Sequence, residues 1–505
     1  MAPSTIFSPT ENCWRIEKAD EFSILIDADD YFSSIRASMM AAKRVIFFVG
    51  WDFDASITLG NPDVDDGAPR KVGEFFLWLA RRNPDLQIKI LLWSPAPLAS
   101  WARPSNLPYL LRWKWNRQIS VHLDGKHPLG SSHHQKMLVI DDTVAYCGGI
   151  DVTLDRWDTR EHLDDNPQRR RPNGKPYGPW HDISSRFTGP AARALGELCR
   201  HRWTRAGGHD VEPVEALLPP KEKAENVSFG AVDLAIARTS PAYREEKAVT
   251  EIEHLYIDMI NAAERVVYAE SQYFASRAVA QVIARRLAEP DGPEFVLINP
   301  VISDNWLGQV AMDTARARLA ESLRRHDEFG RFRIYHPVTA GGQGIYVHAK
   351  LMIVDDRYLR IGSSNFNNRS MRFDQECDVA LEAGGSDQRA EKIISLRNDL
   401  LAEHLGTTPE TVEETLRQTG SLIAAIERLR AESERTGKAR LRPYETPDIT
   451  DLDRWLADHE ILDPEGSDAV FEPIEKRGLF RGRLKRPRRR RGEAAMKSPR
   501  SPCGE

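Results

Sequence analysis

Between residues 29 and 54, "DDYFSSIRASMMAAKRVIFFVGWDFD", apolar side chains recur at helical spacing and then run unbroken through Val45 to Val49. That pattern predicts an amphipathic helix feeding a buried strand. Residues 250–274, "TEIEHLYIDMINAAERVVYAESQYF", carry the same pattern. Strand-like runs follow each of them, "LQIKILLWSP" in the first case and "EFVLINPV" in the second. Further on, "HDISSRFTGPAARALGELCRHRW" and "CDVALEAGGSDQRAEKIISLRNDLLAEHL" each read as a strand followed by a helix.

The polar residues repeat with the apolar ones. His134, Lys136, Asp141, Gly148, Gly149 and Asp151 follow the spacing H-x-K-x4-D-x6-G-x-x-D, and His348, Lys350, Asp355, Gly362, Ser363 and Asn365 reproduce it 214 positions later. A repeat this long predicts two similar α/β halves, each with a mostly parallel mixed sheet flanked by helices. The halves are expected to pack about a pseudo-twofold axis with one active site between them. The first spans residues 1–207 and the second 246–405, and the Gly-, Pro- and charge-rich stretch 208–245 connects them. Residues 406–475 are read as a helical extension, with Thr408 as N-cap and Pro409 in the first turn. Residues 476–505 cannot support a core and are expected to be a disordered basic tail.

On an extended segment, residues two apart share a face, so His134 projects with Lys136, and His348 with Lys350. His133 then lies on the opposite face and is expected to be dispensable. If the halves face each other, two imidazoles and two ammonium groups meet in one cleft, a set suited to a phosphodiester. The ammonium groups balance the phosphate charge, one neutral imidazole can attack phosphorus, and a protonated one can release its proton to the leaving oxygen. Ser363, Asn365 and Gly149 are candidates to approach the substrate, and Asp151 is not expected to mirror Asn365, because a carboxylate does not donate to phosphate. Asp182 and Glu376 are placed to hold the second nitrogen of each imidazole. Asp141 and Asp355 belong to the motif and count among the catalytic candidates, although a turn-forming role suits their place at the end of an apolar run. Trp180 and His181 are candidates to shape the substrate pocket.

Composition narrows the class. The 505 residues carry a formal charge of -5, which argues against a nucleic-acid binder even though ten of the sixteen residues from Lys476 to Arg491 are Lys or Arg. Cys13, Cys147, Cys199, Cys377 and Cys503 are scattered, with no metal-site or disulfide spacing, and are read as buried thiols. No metal ligand set is evident at a recognisable spacing, so no metal is assigned and catalysis is expected to need none. With no leader-like N-terminus and no long apolar run, the expected location is cytoplasmic or peripheral to a membrane, with export by another route left open. The stretch "LPYLLRWKWNR", residues 107–117, reads either as an interfacial helix or as a helix packed on the sheet, and the second is favoured.

The paired motifs resemble those of the two-motif phospholipase D superfamily, over residues 20–405. "GGIDVTLDRWDTREHLDD", "PWHDISSRFTGPAARA" and "IYVHAKLMIVDDRYLRIGSSNFNNRSM" are similar to stretches of eukaryotic-type phosphatidylcholine-hydrolysing enzymes, and the absence of lipid-binding modules ahead of the repeat looks more like a bacterial member. The resemblance implies hydrolysis of a glycerophospholipid to phosphatidic acid and a head-group alcohol through phosphohistidine, with transfer to other alcohols. It implies His134 as nucleophile, His348 as acid, Lys136, Lys350 and Asn365 on the phosphate, and Asp182 and Glu376 as orienting groups. Calcium dependence is not expected. The implied partner is a phospholipid surface, met by a monomer, with the basic tail as a possible contact for anionic lipid. Cardiolipin-synthase-type phosphatidyl transfer, a nuclease or other phosphodiesterase, and a non-enzymatic membrane-binding protein stand as alternatives in that order.

Overall fold

In the computed structural model, residues 5–60, 65–94, 104–215, 219, 227–301, 307–437, 439–446 and 463 are described. Two mixed sheets carry the halves. The first has seven strands in the order Phe22–Ile26, Ile183–Thr188, Val144–Gly148, Met137–Ile140, Val45–Gly50, Gln87–Trp93 and Ile119–Asp124. In the second, Val232–Ser240, Glu376–Glu382, Tyr358–Gly362, Lys350–Val354, Val266–Ser271, Glu294–Ile298 and Phe332–Pro337 take the same places in the same order. The repeat in the chain is therefore a repeat of topology.

Parallel pairing is confined to the three strands at one side of each sheet, and every other pairing in the two seven-strand arrays is antiparallel. The excess of antiparallel pairs over the expected mostly parallel sheet has a local cause. The motif strand Met137–Ile140 and its successor Val144–Gly148 form a hairpin closed by Asp141, Asp142 and Thr143, with Asp141 and Asp142 at φ 50° and 54°. Aspartate tolerates that left-handed backbone better than most residues. Lys350–Val354 and Tyr358–Gly362 form the second hairpin, with Asp355 at φ 55°.

Two expected boundaries move. Val232–Ser240 falls inside the stretch 208–245 that was expected to connect the halves, yet it is the first strand of the second repeat and pairs along Glu376–Glu382. Its alternating "VDLAIARTS" lies beside a Pro- and charge-rich run that masks it in any windowed reading. Arg15–Ala19, near the N-terminus, joins the edge of the second sheet against Val232–Ser240 and so crosses the division at residue 207. At the other end, Thr408 Oγ1 accepts from Thr411 N ahead of the helix Pro409–Thr419, a second helix spans Leu422–Arg435, and Leu441–Pro443 adds an unexpected edge strand beside Phe332–Pro337. Of residues 447–505 only Asp463 is described, so the basic tail lies outside the described residues.

The halves share a core. Phe47, Val139 and Cys147 of the first sheet pack in one buried apolar cluster with Ile353, Ile361 and Val379 of the second. Burial of this kind contributes about 25 cal/mol per Å² of apolar surface, which opposes separation of the halves. Cys13, Cys147, Cys199 and Cys377 are buried thiols. In the stretch 107–117 the helix runs Leu107–Trp113, and Trp113 packs against Phe53 and Phe76, whereas Leu107, Leu111 and Trp115 face outward at 52%, 57% and 85% exposure. The favoured reading, a helix packed on the fold, is met by the Trp113 side. Among the described residues no helix is long and apolar enough to cross a membrane.

Candidate active site

The two motif histidines meet at a seam between the halves. His134 donates its backbone N–H to Gln375 O at 2.8 Å, and His348 donates its own to His181 O at 2.7 Å. Each accepting carbonyl belongs to the residue just before a carboxylate: Glu376 in one case, Asp182 in the other. That registration carries the carboxylates onto the rings. His134 Nδ1 lies 3.1 Å from both oxygens of Glu376, and His348 Nδ1 lies 2.7 Å from Asp182 Oδ2. In both cases the carboxylate comes from the opposite half. Short parallel pairing of Trp180–His181 with Tyr346–Val347 fixes the second contact.

The Nδ1 contacts leave each Nε2 for the cleft. The cleft encloses about 360 Å³ and is lined by Trp51, Trp93, His134, Trp180, His348 and Asn365, among others. Lys136 Nζ donates to His134 O at 2.9 Å and pairs with Asp151 Oδ2 at 3.1 Å, and Lys350 Nζ donates to His348 O. Asp151 thus holds a lysine and also accepts from the backbone of Trp51 and Asp52, in keeping with its not mirroring Asn365. Asn365 donates its backbone N–H to Ser370 Oγ at 3.0 Å, and its side-chain Oδ1 is buried without a partner.

Burial sets the protonation states. It lowers His134 and His348 well below the usual imidazole range, and the Lys350 ammonium, joined by Lys136 beside His134 and by Arg156 beside His348, lowers them further. Desolvation also pushes Glu376 up to about 8, against the opposing hydrogen bonds from Ser363 and Ser370, and brings Lys350 down to about 7. A cleft without substrate therefore favours neutral imidazoles. A phosphodiester anion reverses the balance, because negative charge between the rings favours protonated Lys350 and an imidazolium. One neutral imidazole and one that gains a proton on substrate binding is the pairing that double displacement at phosphorus requires.

The other candidates sort by position. Ser363 does not line the cleft; its Oγ donates to Glu376 Oε2 at 2.5 Å and its carbonyl lies 3.1 Å from His134 Nδ1, so it braces the pair from behind. At Gly149 a Cβ would sit 2.1 Å from Asp182 Oδ1, so glycine admits the carboxylate there. Trp180 lies on the cleft wall, stacked on Tyr346 at 4.5 Å and 5.1 Å from His348. His181 does not reach the cleft: the strand pleat turns it the opposite way from Asp182, and it is fully buried against Glu270. Asp141 and Asp355 also stand apart from the cleft. Asp141 accepts from the backbone N–H groups of Lys43, Arg44 and Val45 at 2.6–2.8 Å, and Asp355 from those of Glu264, Arg265 and Val266 at 2.8–2.9 Å. Both tie a motif hairpin to the helix–strand junction beside it, which is the turn-forming role. His133, expected to be dispensable, is buried and lies 3.1 Å from Asp124, which also binds Arg202.

Several cleft residues went unassigned in the sequence. Arg156 lies over the Trp180 ring at 4.2 Å, and Trp51 stacks on Trp93 at 5.8 Å. Ser370 Oγ donates to Glu376 Oε1 at 2.7 Å from the turn Arg369–Phe373. Trp51 and Trp93 sit where neighbouring parallel strands end, the usual mouth of an α/β sheet, and that position was the available signal.

The family model described as Phospholipase D matches residues 121–281 and 331–438, more than half of the chain and both motifs. The chain belongs to the phospholipase D family. Phospholipase D A of Dictyostelium discoideum is 24% identical over 489 residues, covering 79% of this chain and 37% of that protein. Phospholipase D alpha 1 of Nicotiana tabacum is 26% identical over 524 residues, covering 76% of this chain and 64% of its own length. The chain thus spans less than two thirds of these curated relatives. Among solved structures, the phosphatidylserine synthase of Haemophilus influenzae superposes with a TM-score of 0.51 at 15% identity, over 83% of this chain and 95% of that one, a likeness of fold. Within the phospholipase D family, the paired motif is the signature that the cleft brings together.

Proposed function

We propose that the protein is a phospholipase D that cleaves the distal phosphodiester bond of a phosphatidylcholine-like glycerophospholipid and passes the phosphatidyl group to water or to another alcohol. The observation that carries this reading is the crossed pairing of His134 with Glu376 and of His348 with Asp182 at one cleft, with the buried ammonium groups of Lys136 and Lys350 held against the backbone carbonyls of those two histidines. His134 Nε2 attacks phosphorus. In its ionised form, reached as pH rises toward about 8, Glu376 accepts the Nδ1–H and stabilises the positive charge that develops on the ring. The lysines and Asn365 hold the non-bridging oxygens, where charge accumulates in the transition state. His348 gives its proton to the departing head-group oxygen and then, as base, takes one from the incoming water or alcohol. Two in-line displacements leave the configuration at phosphorus unchanged.

The lysines supply the positive charge for this step, so calcium is not part of the proposed chemistry. The aromatic walls formed by Trp51, Trp93, Trp180 and Tyr346 suit a cationic head group, which an aromatic face attracts. The protein is taken to act as a monomer at a membrane surface.

The test is incubation with phosphatidylcholine vesicles and ethanol, with and without added calcium, for wild type and His134→Asn. Phosphatidylethanol formed without calcium and absent in the variant is the expected result. Cleavage of single-stranded DNA with no lipid turnover would overturn the reading.

A further inference from the structure

Behind the cleft, on the far side of the strand that carries Asp182, lies a second cluster that the proposed chemistry does not use. His181 and Asp27 come from the first half, His162 from the long segment between the first-half strands, and Glu403 from the second-half helix Asp387–Leu405. Their side chains are 3% exposed or less. No sequence spacing announces this set, since its members are scattered over almost 380 positions.

Neighbouring groups decide which nitrogen of each ring carries hydrogen. His162 Nδ1 faces Asp158 Oδ2 at 3.0 Å, and Asp158 is otherwise surrounded by donors, the Arg169 guanidinium and the backbone N–H of Trp180. His181 Nε2 faces Glu270 Oε2 at 2.8 Å, and Glu270 Oε1 accepts from Tyr268 and faces His404 Nε2. Each carboxylate therefore claims a ring N–H, and the remaining lone pairs, on His162 Nε2 and His181 Nδ1, turn to the centre.

Two carboxylates face those lone pairs. His162 Nε2 is 3.1 Å from Glu403 Oε1 and 3.5 Å from Asp27 Oδ2; His181 Nδ1 is 2.9 Å from Glu403 Oε1 and 3.1 Å from Asp27 Oδ1. A lone pair against a carboxylate oxygen is repulsive unless positive charge lies between them. Protons on the rings are one source, and the His162–Glu403 contact has hydrogen-bond geometry. His181 Nδ1 has none with either of its oxygens, and Asp27 Oδ2 is likewise buried without a hydrogen-bond partner. Both aim into the space among the four groups. Tetrahedral zinc, with bonds of about 2.0–2.2 Å, spaces its ligand atoms about 3.3–3.5 Å apart, close to the separations here. Carboxylates on the outer ring nitrogens are the usual support for metal-bound histidine.

We propose that Asp27, His162, His181 and Glu403 form a binding site for a tetrahedral divalent transition-metal ion, zinc by its two-nitrogen, two-oxygen donor set. Two carboxylates and two neutral imidazoles match the charge of the ion. The ion fastens the second-half helix Asp387–Leu405 to the first-half strand Trp180–His181, and so steadies the backbone from which Asp182 reaches His348. It takes no part in attack on phosphorus, so the site stands whether or not the lipid reading does.

Full-length protein purified without chelator is expected to carry one zinc per chain by elemental mass spectrometry. Cobalt(II) in its place is expected to give the intense visible bands of tetrahedral coordination. His162→Gln with Glu403→Gln should abolish stoichiometric metal, whereas His404→Gln, which removes a neighbour of Glu270 but no ligand, should keep it. Because the double variant can fail for want of folding, wild-type chain produced in metal-free medium is also titrated with zinc alone: binding of one equivalent with a rise in Tm supports the site. Natively folded wild type that binds no zinc in that titration, or a double variant that retains its full metal content, overturns it.

Discussion

The Nδ1 of His348 lies 2.7 Å from Asp182 Oδ2, across the seam between the halves and 166 residues away along the chain. His134 stands in the same relation to Glu376, at 3.1 Å. Each imidazole is aimed by a carboxylate that its own half does not provide.

Removing the two rings should separate attack from protonation. His134→Ala and His348→Ala are each expected to reduce phosphatidylcholine turnover by at least about 10²-fold, the usual scale of positioned acid–base chemistry. With p-nitrophenol in place of choline the departing oxygen needs no proton, so His348→Ala should recover most of its first step and His134→Ala should not. Burst kinetics of p-nitrophenol release are the measurement. Recovery in the opposite variant would exchange the two roles.

Glu376 links stability to pH in an unusual direction. Its ordinary value is 4.5 and burial raises it to about 8, so within that window the folded chain keeps a proton that the unfolded chain has lost. The contribution is full below pH 4.5 and is lost as pH rises through about 8. Glu376→Gln has no such proton to lose, so its Tm relative to wild type should climb between pH 5 and pH 8 while its turnover falls by about 10²–10⁴-fold. A Tm difference that stays flat with pH would contradict the raised value.

Asp141→Ala and Asp355→Ala each strand three backbone N–H groups, and hydrogen bonds to a charged acceptor contribute about 1.5–3 kcal/mol each. These variants should lower Tm strongly and leave kcat of the folded fraction within a few-fold of wild type. Loss of kcat at unchanged Tm would return the aspartates to the chemistry.

Gly149→Ala places a Cβ 2.1 Å from Asp182 Oδ1 and 3.1 Å from Lys350 Cδ, both closer than ordinary contact. The carboxylate must move, so kcat should fall about tenfold or more with KM little changed. Full activity in this variant would mean that the His348 pair tolerates displacement.

Much of this was legible in the chain because repetition supplies its own alignment. The second motif, with Val347 before His348, settles which of His133 and His134 belongs to the site, and the repeated apolar runs define both sheets. Other features rest on relations that spacing along one strand does not carry. The partner of each histidine was ambiguous because Asp182 and Glu376 become its neighbours only through the seam. His181 was misplaced because adjacency to a cleft tryptophan says nothing of which side of the pleat a ring occupies. Arg156 sits in an irregular segment with no period at all, and Val232–Ser240 was hidden by the composition of its neighbours.

The exchange of carboxylates has a consequence for ancestry. A half-length chain with this fold would own a nucleophile and the brace for someone else's, and would be inert alone. Its activity would require two chains clasped face to face, each completing the other, so fusion of the pair into one polypeptide changes the cost of assembly without adding a catalytic part.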